Sequence, residues 1–276
     1  MTKPIAAIMY DFDKTLSTKD MQEYAFIPGI DMKAEKFWDE CNGLTKKNNM
    51  DPILSYMYVM IKGARGKKLL NRAEFNKLGK SVEFFPGVAD WFERVNAYGE
   101  SIGVTVEHYI ISSGVKEIIE GTAIAKYFKE IYAAEFLYDD SGVPVWPAMA
   151  VNYTSKTQFL FRINKGVLDV TEHKELNTYT AEEERRIPFS NMVYLGDGFT
   201  DVPCMKLVKS YGGHSVAVYS SDEQTAYDIM KQGRVDYVAK TDYRKGEKLE
   251  NTIFAILDLI KANHITTQIK LGDKRQ

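Results

Sequence analysis

A continuous apolar run, Ile5 to Tyr10, ends in Asp11-Phe12-Asp13-Lys14-Thr15-Leu16. No other feature restricts the fold of this chain as much. A short apolar run without polar alternation fits a strand buried on both faces, as in a parallel sheet covered by helices. In open α/β sheets, ligands bind outside the carboxyl ends of the strands. Two carboxylates at i and i+2 repel each other there unless a cation or a shared proton compensates them. Mg²⁺, a hard cation held by carboxylates and substrate phosphate, meets that need. A carboxylate in such a place can also attack phosphorus and carry the phosphoryl group covalently. Asp is equally at home in turns and caps, so Asp11-x-Asp13 alone also reads as a turn.

After Leu16 the pattern turns helical until about Val82. Lys19 to Phe26 reads as a short helix stopped by Pro28-Gly29. Met32 to Leu44 carries Phe37, Trp38, Cys41 and Leu44 at helical spacing. Asp51-Pro52 is an N-cap followed by proline at the first helical position. Asn71 with Glu74 has the capping-box spacing. Helices between two strands of an α/β sheet predict an inserted helical cap over residues 17–82, with a core built from residues 1–16 and 83–276.

Pro86-Gly87 opens the next helix. Val104 to Ile111 reads as a strand, with His108 as an edge or core histidine, and runs into Ser112-Ser113-Gly114 ahead of a helix. Ile131 to Ala134 is a further strand, and Phe136 to Val151 a hairpin turning at Asp139 to Gly142. Ser155 with Gln158 resembles a capping box, which puts Lys156 in the first turn of a helix. Residues 165–190 are charged and irregular, and are expected to cover the site or form an interface. Met192 to Leu195, Ser215 to Tyr219 and Val235 to Ala239 are strand candidates. Leu249 to Ile260 is an amphipathic helix, with a frayed polar tail after Thr266. Strands alternating with helices predict a mostly parallel sheet of Rossmann-like α/β type.

Four element ends carry polar groups able to converge. Asp11 and Asp13 leave the first strand. Ser112 leaves the next, ahead of the amides of Ser113 and Gly114, which are expected to open a helix and bind an anion. Lys156 can neutralise an anion, or be a plain solvated lysine. Asp197 and Asp201 flank a glycine turn, Gly196 to Asp201, where Asp201 also reads as an N-cap. That turn is no dinucleotide fingerprint, because its sixth position is Asp201. No Gly-x-x-x-x-Gly-Lys-Ser/Thr loop is present either.

These four pieces, in this order, resemble the motifs of the haloacid dehalogenase-like (HAD) superfamily. Asp11-Phe12-Asp13-Lys14-Thr15 is similar to the first motif, Ile110-Ile111-Ser112 to the second and Lys156 to the third. Gly196-Asp197-Gly198 through Asp201 is similar to the fourth. The helical insert resembles a C1-type cap, and within the superfamily the pattern looks most like the phosphoserine phosphatases. The resemblance implies a phosphatase that acts on a small phosphorylated metabolite through a phosphoaspartate. Asp11 would be the nucleophile, and Asp13 the general acid and base. Mg²⁺ would be held by Asp11, the Asp13 carbonyl and Asp197, with Asp201 ordering metal-bound water or orienting Lys156. Phosphate would be bound by Thr15, Ser112, Ser113, Gly114 and Lys156. Asp20 matches by offset an acid that meets a substrate ammonium; Arg65, or Arg72, is the candidate for a carboxylate partner. A phosphotransferase or nucleotidase using the same intermediate, and a phosphate-binding module without catalysis, are the alternatives.

Composition removes other classes. With 36 basic and 38 acidic residues the net charge is −2, which gives no drive toward nucleic acid or an anionic membrane. No apolar run approaches the ~20 residues of a membrane span. Met1 to Pro4 leads straight into the first strand without a signal-peptide pattern. Cys41 and Cys204, far apart, read as reduced core thiols. Together these predict a cytoplasmic protein.

Overall fold

The computed structural model describes residues 3–273. The apolar runs become a seven-stranded sheet: β1 (Ile5–Tyr10), β2 (Thr105–Val115), β3 (Phe128–Tyr138), β4 (Pro144–Met149), β5 (Met192–Gly196), β6 (His214–Tyr219) and β7 (Tyr237–Lys240). Their order is β4-β3-β2-β1-β5-β6-β7, so β1 is the central strand. All neighbours are parallel except β3 and β4, which form the expected hairpin. The chain moves outward from β1 through β2, then returns to β1's other side with β5. That reversal opens a crevice at the carboxyl ends of β1, β2 and β5.

Alternate side chains of β1 feed two cores, as the two-residue period of a strand requires. Ala6, Ile8 and Tyr10 join one cluster, and Ala7 and Met9 the other. In the first, Trp91 Nε1 donates to Tyr10 Oη at 2.9 Å. Tyr10 then meets His108 Nδ1 at 3.0 Å, and His108 Nε2 meets Asn96 Oδ1 at 3.1 Å. Burial pushes the His108 imidazole down to about 3, so it is a neutral core histidine with both nitrogens satisfied.

The insert between β1 and β2 holds a 3-10 turn at Met21–Glu23, then α1 (Phe26–Gly29), α2 (Ala34–Asn48), α3 (Pro52–Ala64) and α4 (Arg72–Gly79). Helix α5 (Val88–Ile102) leads back to the sheet. Beyond β2 come α6 (Lys116–Glu120), α7 (Lys156–Lys165), α8 (Lys174–Asn177), α9 (Val202–Ser210), α10 (Gln224–Lys231) and α11 (Lys248–Asp273). Asp51 caps α3 as its Asp-Pro signature predicts, accepting from Ile53 N at 2.8 Å. Asn71 accepts from Glu74 N at 2.8 Å and caps α4.

The two segments that connect the insert to the sheet are zipped together. Thr18 N donates to Glu83 O, and Phe85 N to Leu16 O, each at 3.0 Å. Tyr24 Oη donates to Glu83 O at 3.0 Å and accepts from Lys19 N at 2.8 Å. Helix α4 meets α6 backbone to backbone: a Cβ on Gly79 would lie 2.3 Å from Ile118 O, and one on Gly121 1.8 Å from Asn76 O.

Several expectations are corrected. Pro28 and Gly29 do not stop a helix over 19–26; they lie inside α1, where a proline in the first turn loses no hydrogen bond. The strand through His108 does not end before Ser112, and β2 runs to Val115. The capping box at Ser155 does not form, because the Ser155 hydroxyl bonds to Asn152. Asn152 instead caps the turn, its Oδ1 accepting from Ser155 N at 2.9 Å. Residues after Thr266 continue α11 to Asp273. The 165–190 segment does not cover the crevice. Helix α7 carries the chain away from it, and Arg186 then pairs with Glu107 near the start of β2 at 2.6 Å. Buried Arg162 organises this segment by donating to the carbonyls of Asp169, Val170 and Glu172.

Candidate active site

The carboxyl ends of β1 and β5 and the start of α7 bring four charged groups together. Asp11 follows β1 directly and is tied to β5 by Asp11 N donating to Leu195 O at 2.9 Å. Lys156, 1% exposed, opens α7 and donates from Nζ to Asp11 Oδ1 at 2.9 Å and Asp201 Oδ1 at 2.7 Å. Asp201 also accepts from Tyr194 Oη at 2.8 Å. It makes no side-chain cap for α9, so its carboxylate orients Lys156 instead. Gly196 makes this possible, since a Cβ there would lie 2.4 Å from Asp201 Cγ.

Asp11, Asp197 and Asp201 each offer a carboxylate oxygen within 4.8 Å of the others. Burial first, and then the Asp201 charge, push Asp11 up to about 6 despite Lys156. Burial and the charges of Asp11 and Asp201 push Asp197 up to about 8. Burial would lower the Lys156 ammonium, but its two carboxylate partners outweigh it and hold the group charged. One lysine does not balance three acids, and an all-oxygen donor set suits a hard divalent cation.

Asp13 faces the insert rather than that trio. Its Oδ1 accepts from Met21 N at 2.9 Å and from Ser17 Oγ at 3.4 Å. Burial raises its affinity for a proton, and Asp20 and Asp11 raise it further. Gly114 lies against it: a Cβ would be 3.1 Å from Asp13 Oδ2 and 2.0 Å from Met21 Cε. Ser112 is buried, but the amides after it do not open a helix. Gly114 N donates to Ser112 Oγ at 3.0 Å, and Val115 N to Met21 Sδ at 3.1 Å. Those internal bonds keep the backbone extended to Val115. Thr15 is buried, with no partner for its hydroxyl; its carbonyl accepts from Tyr243 Oη at 2.8 Å.

A cavity of about 190 Å³ lies between the site and the insert, lined in part by Asp13, Asp20, Gln22, Trp38, Tyr56 and Ser113. Asp20 pairs with Lys14 at 2.7 Å. Tyr56 Oη donates to Ser113 O at 2.6 Å. Arg65 is a correction: it caps the far end of α3, about 20 Å along the helix from Pro52. Arg72 is engaged with Glu135 at 2.9 Å, and Tyr24 belongs to the zipped connection. Sequence reasoning missed Met21, Gln22 and Tyr194. None of the three is charged, and Tyr194 lies in the middle of the apolar β5 run, where nothing in the sequence sets it apart as a site residue.

The sequence profile of haloacid dehalogenase-like hydrolases matches residues 8–206. An uncharacterized protein of Borreliella burgdorferi is 30% identical over 279 residues, covering 90% of this chain and 95% of the relative. Among solved structures, a HAD family hydrolase from Salmonella enterica serovar Typhi aligns over 92% of this chain and 72% of its own, with a TM-score of 0.58 and 15% identity. A phospho-aspartyl intermediate analogue of phosphoserine phosphatase aligns over 86% of this chain and 93% of its own, with a TM-score of 0.54 and 15% identity. At such identities these two speak for the fold.

Proposed function

This chain belongs to the haloacid dehalogenase-like hydrolases, and from that premise we propose that it is a Mg²⁺-dependent phosphatase acting on a phosphomonoester of a small soluble metabolite. The observation that carries the reading is the Asp11–Lys156–Asp201 array beside Asp197 at the carboxyl end of the central strand. Asp11 Oδ attacks phosphorus, and the bond from phosphorus to the alcohol oxygen breaks as a phosphoaspartate forms. Asp13, whose buried carboxyl favours the protonated form, gives its proton to the departing alkoxide. As a carboxylate it then takes a proton from water, whose oxygen attacks phosphorus and releases Asp11. Lys156 offsets charge on the phosphoryl oxygens, and Ser112 and Thr15 supply hydroxyls to them. Asp11 and Asp197, with the Asp13 carbonyl, would hold Mg²⁺, and Asp201 would keep Lys156 in place. The ion, when bound, offsets the repulsion between an anionic nucleophile and an anionic phosphate.

A cavity of about 190 Å³ beside Asp13 supports a small substrate. Two buried free thiols, Cys41 and Cys204, support a cytoplasmic location. Among the described residues, no helix is long and apolar enough to cross a membrane. The test is phosphate release from p-nitrophenyl phosphate with Mg²⁺ or with EDTA. Turnover is expected only with the cation, and Asp11→Asn is expected to abolish it while the fold stays intact. Metal-independent turnover, or near-normal turnover by Asp11→Asn, overturns the mechanism.

A further inference from the structure

We propose that Lys14 is a positioning residue for the reaction: it holds the turn that aims the Asp13 carboxyl at the leaving oxygen. The assignment deepens, and rests on, the phosphatase reading with Asp13 as its acid. Among the described residues, three that are not glycine take a left-handed backbone: Lys14 at φ 58°, Asp31 at 55° and Asn49 at 50°. Asp and Asn tolerate that region through their short polar side chains, and lysine lacks this means. Lys14 follows Asp13 directly, at a place where glycine would fit without strain.

Stability does not explain the lysine. Its Nζ reaches Asp20 Oδ2 at 2.7 Å, with 52% and 27% of the two side chains exposed. A pair so open to water stabilises by no more than the left-handed backbone costs. Backbone strain that persists beside a reacting group points to a role in the chemistry. Asp20 stands at the N-cap position of the 3-10 turn Met21–Glu23 but makes no side-chain cap bond; its carboxylate goes to Lys14 instead. The Asp20 carbonyl accepts from Glu23 N at 2.9 Å and closes the turn. Met21 N, the first amide of that turn, donates to Asp13 Oδ1 at 2.9 Å. Asp13, Lys14, Asp20 and Met21 therefore form a closed ring of bonds. Burial works against the Lys14 ammonium, but Asp20, then Asp197 and Asp13, outweigh it and keep it charged. Cutting the ring at Lys14 frees Asp20 to cap its own turn, and the Met21 amide moves with it. A proton donor displaced from its acceptor loses much of its effect.

The test compares kcat/KM with Mg²⁺ for phenyl phosphate and p-nitrophenyl phosphate. The two esters are similar in size, but the phenolate is the poorer leaving group and needs the proton more. Lys14→Gly is expected to lower kcat/KM for phenyl phosphate about ten-fold or more, and for p-nitrophenyl phosphate by less than about three-fold. Lys14→Asn, which also suits the left-handed backbone, is expected to do the same, and Lys14→Arg to bring back the wild-type ratio. Adding Asp20→Asn to Lys14→Gly is expected to change the ratio no further, because both cut one ring. The unfolding temperature of Lys14→Gly is expected to hold or rise. Equal losses on both esters, or an unchanged ratio, overturn this inference alone. So does loss of the fold in both Lys14→Gly and Lys14→Asn, which would make the lysine structural. A wild type that cleaves p-nitrophenyl phosphate but not phenyl phosphate overturns it too, since no acid would then be in place. No phosphate release from either ester overturns the phosphatase reading with it.

Discussion

At Gly114 a missing side chain does structural work for two residues at once. Its hydrogen leaves room for Met21, whose amide holds Asp13 and whose sulfur accepts from Val115 N. Gly114→Ala places a methyl 2.0 Å from Met21 Cε and must displace that side chain. The expected cost is about 1–3 kcal/mol of stability, as for other overpacked sites. Turnover should fall further than that, because Asp13 loses its positioning amide. Thermal unfolding and kcat measured on the same sample check this; an unchanged kcat would detach Met21 from the acid. Asp11, Asp13, Lys156, Asp197 and Asp201 stood out in the sequence because charges at strand ends and helix starts that can converge are costly without a purpose. Gln22 and Tyr194 were not, because an uncharged side chain acquires its role only from neighbours brought in by the fold. Arg65 was misjudged because its charge was weighed without its position along α3.

The elements themselves follow from their patterns wherever burial decides. The strands with buried centres grew from apolar runs, the exposed edge strand β4 came from the hairpin pattern, and Asp51-Pro52 opened α3 where expected. The errors lie where local hydrogen bonds override a composition rule. Ser112 Oγ accepts the Gly114 amide that was expected to open a helix, and Met21 Sδ accepts the next one, from Val115, so β2 lengthens. Asn152 takes the role expected of Ser155, and Lys156 still begins its helix. The contact between α4 and α6 was invisible in sequence, since a glycine at the end of a helix reads as an ordinary stop and not as a close approach. Gly121→Ala would put a Cβ 1.8 Å from Asn76 O, with backbone rather than a movable side chain in its way. It is expected to cost about 2–4 kcal/mol, although it touches no catalytic group. Chemical denaturation measures this, and a loss under ~0.5 kcal/mol would mean that the two helices slide apart easily.

Across the whole molecule, three acids share one end of the sheet, and the proton affinity of two of them, Asp11 and Asp197, ties stability to pH. Asp11 and Asp197 are raised to about 6 and about 8 in the cation-free protein, above their unfolded value of 3.8. Their folded forms hold protons more tightly than the unfolded chain, so this contribution favours folding at low pH and fades as pH rises through 6 to 8. A divalent cation requires the deprotonated forms, so its affinity should rise over the same window by about one to two orders of magnitude. The increase in unfolding temperature on adding Mg²⁺ is expected to be larger at pH 8.5 than at pH 6. An equal increase at both would place the ion away from these acids. The unequal attachment of the insert has another consequence. Helix α4 is fastened to α6 backbone against backbone, whereas α3 meets the core through Tyr56 to Ser113 and Asp51 to Asn152, bonds that side chains can break and remake. An insert held in this way is expected to part from the core on the α3 side first and to stay pinned where α4 meets α6. For the phosphatase proposed above, that would bring substrate and water in on one side, so the alcohol would have to clear before water could take its place.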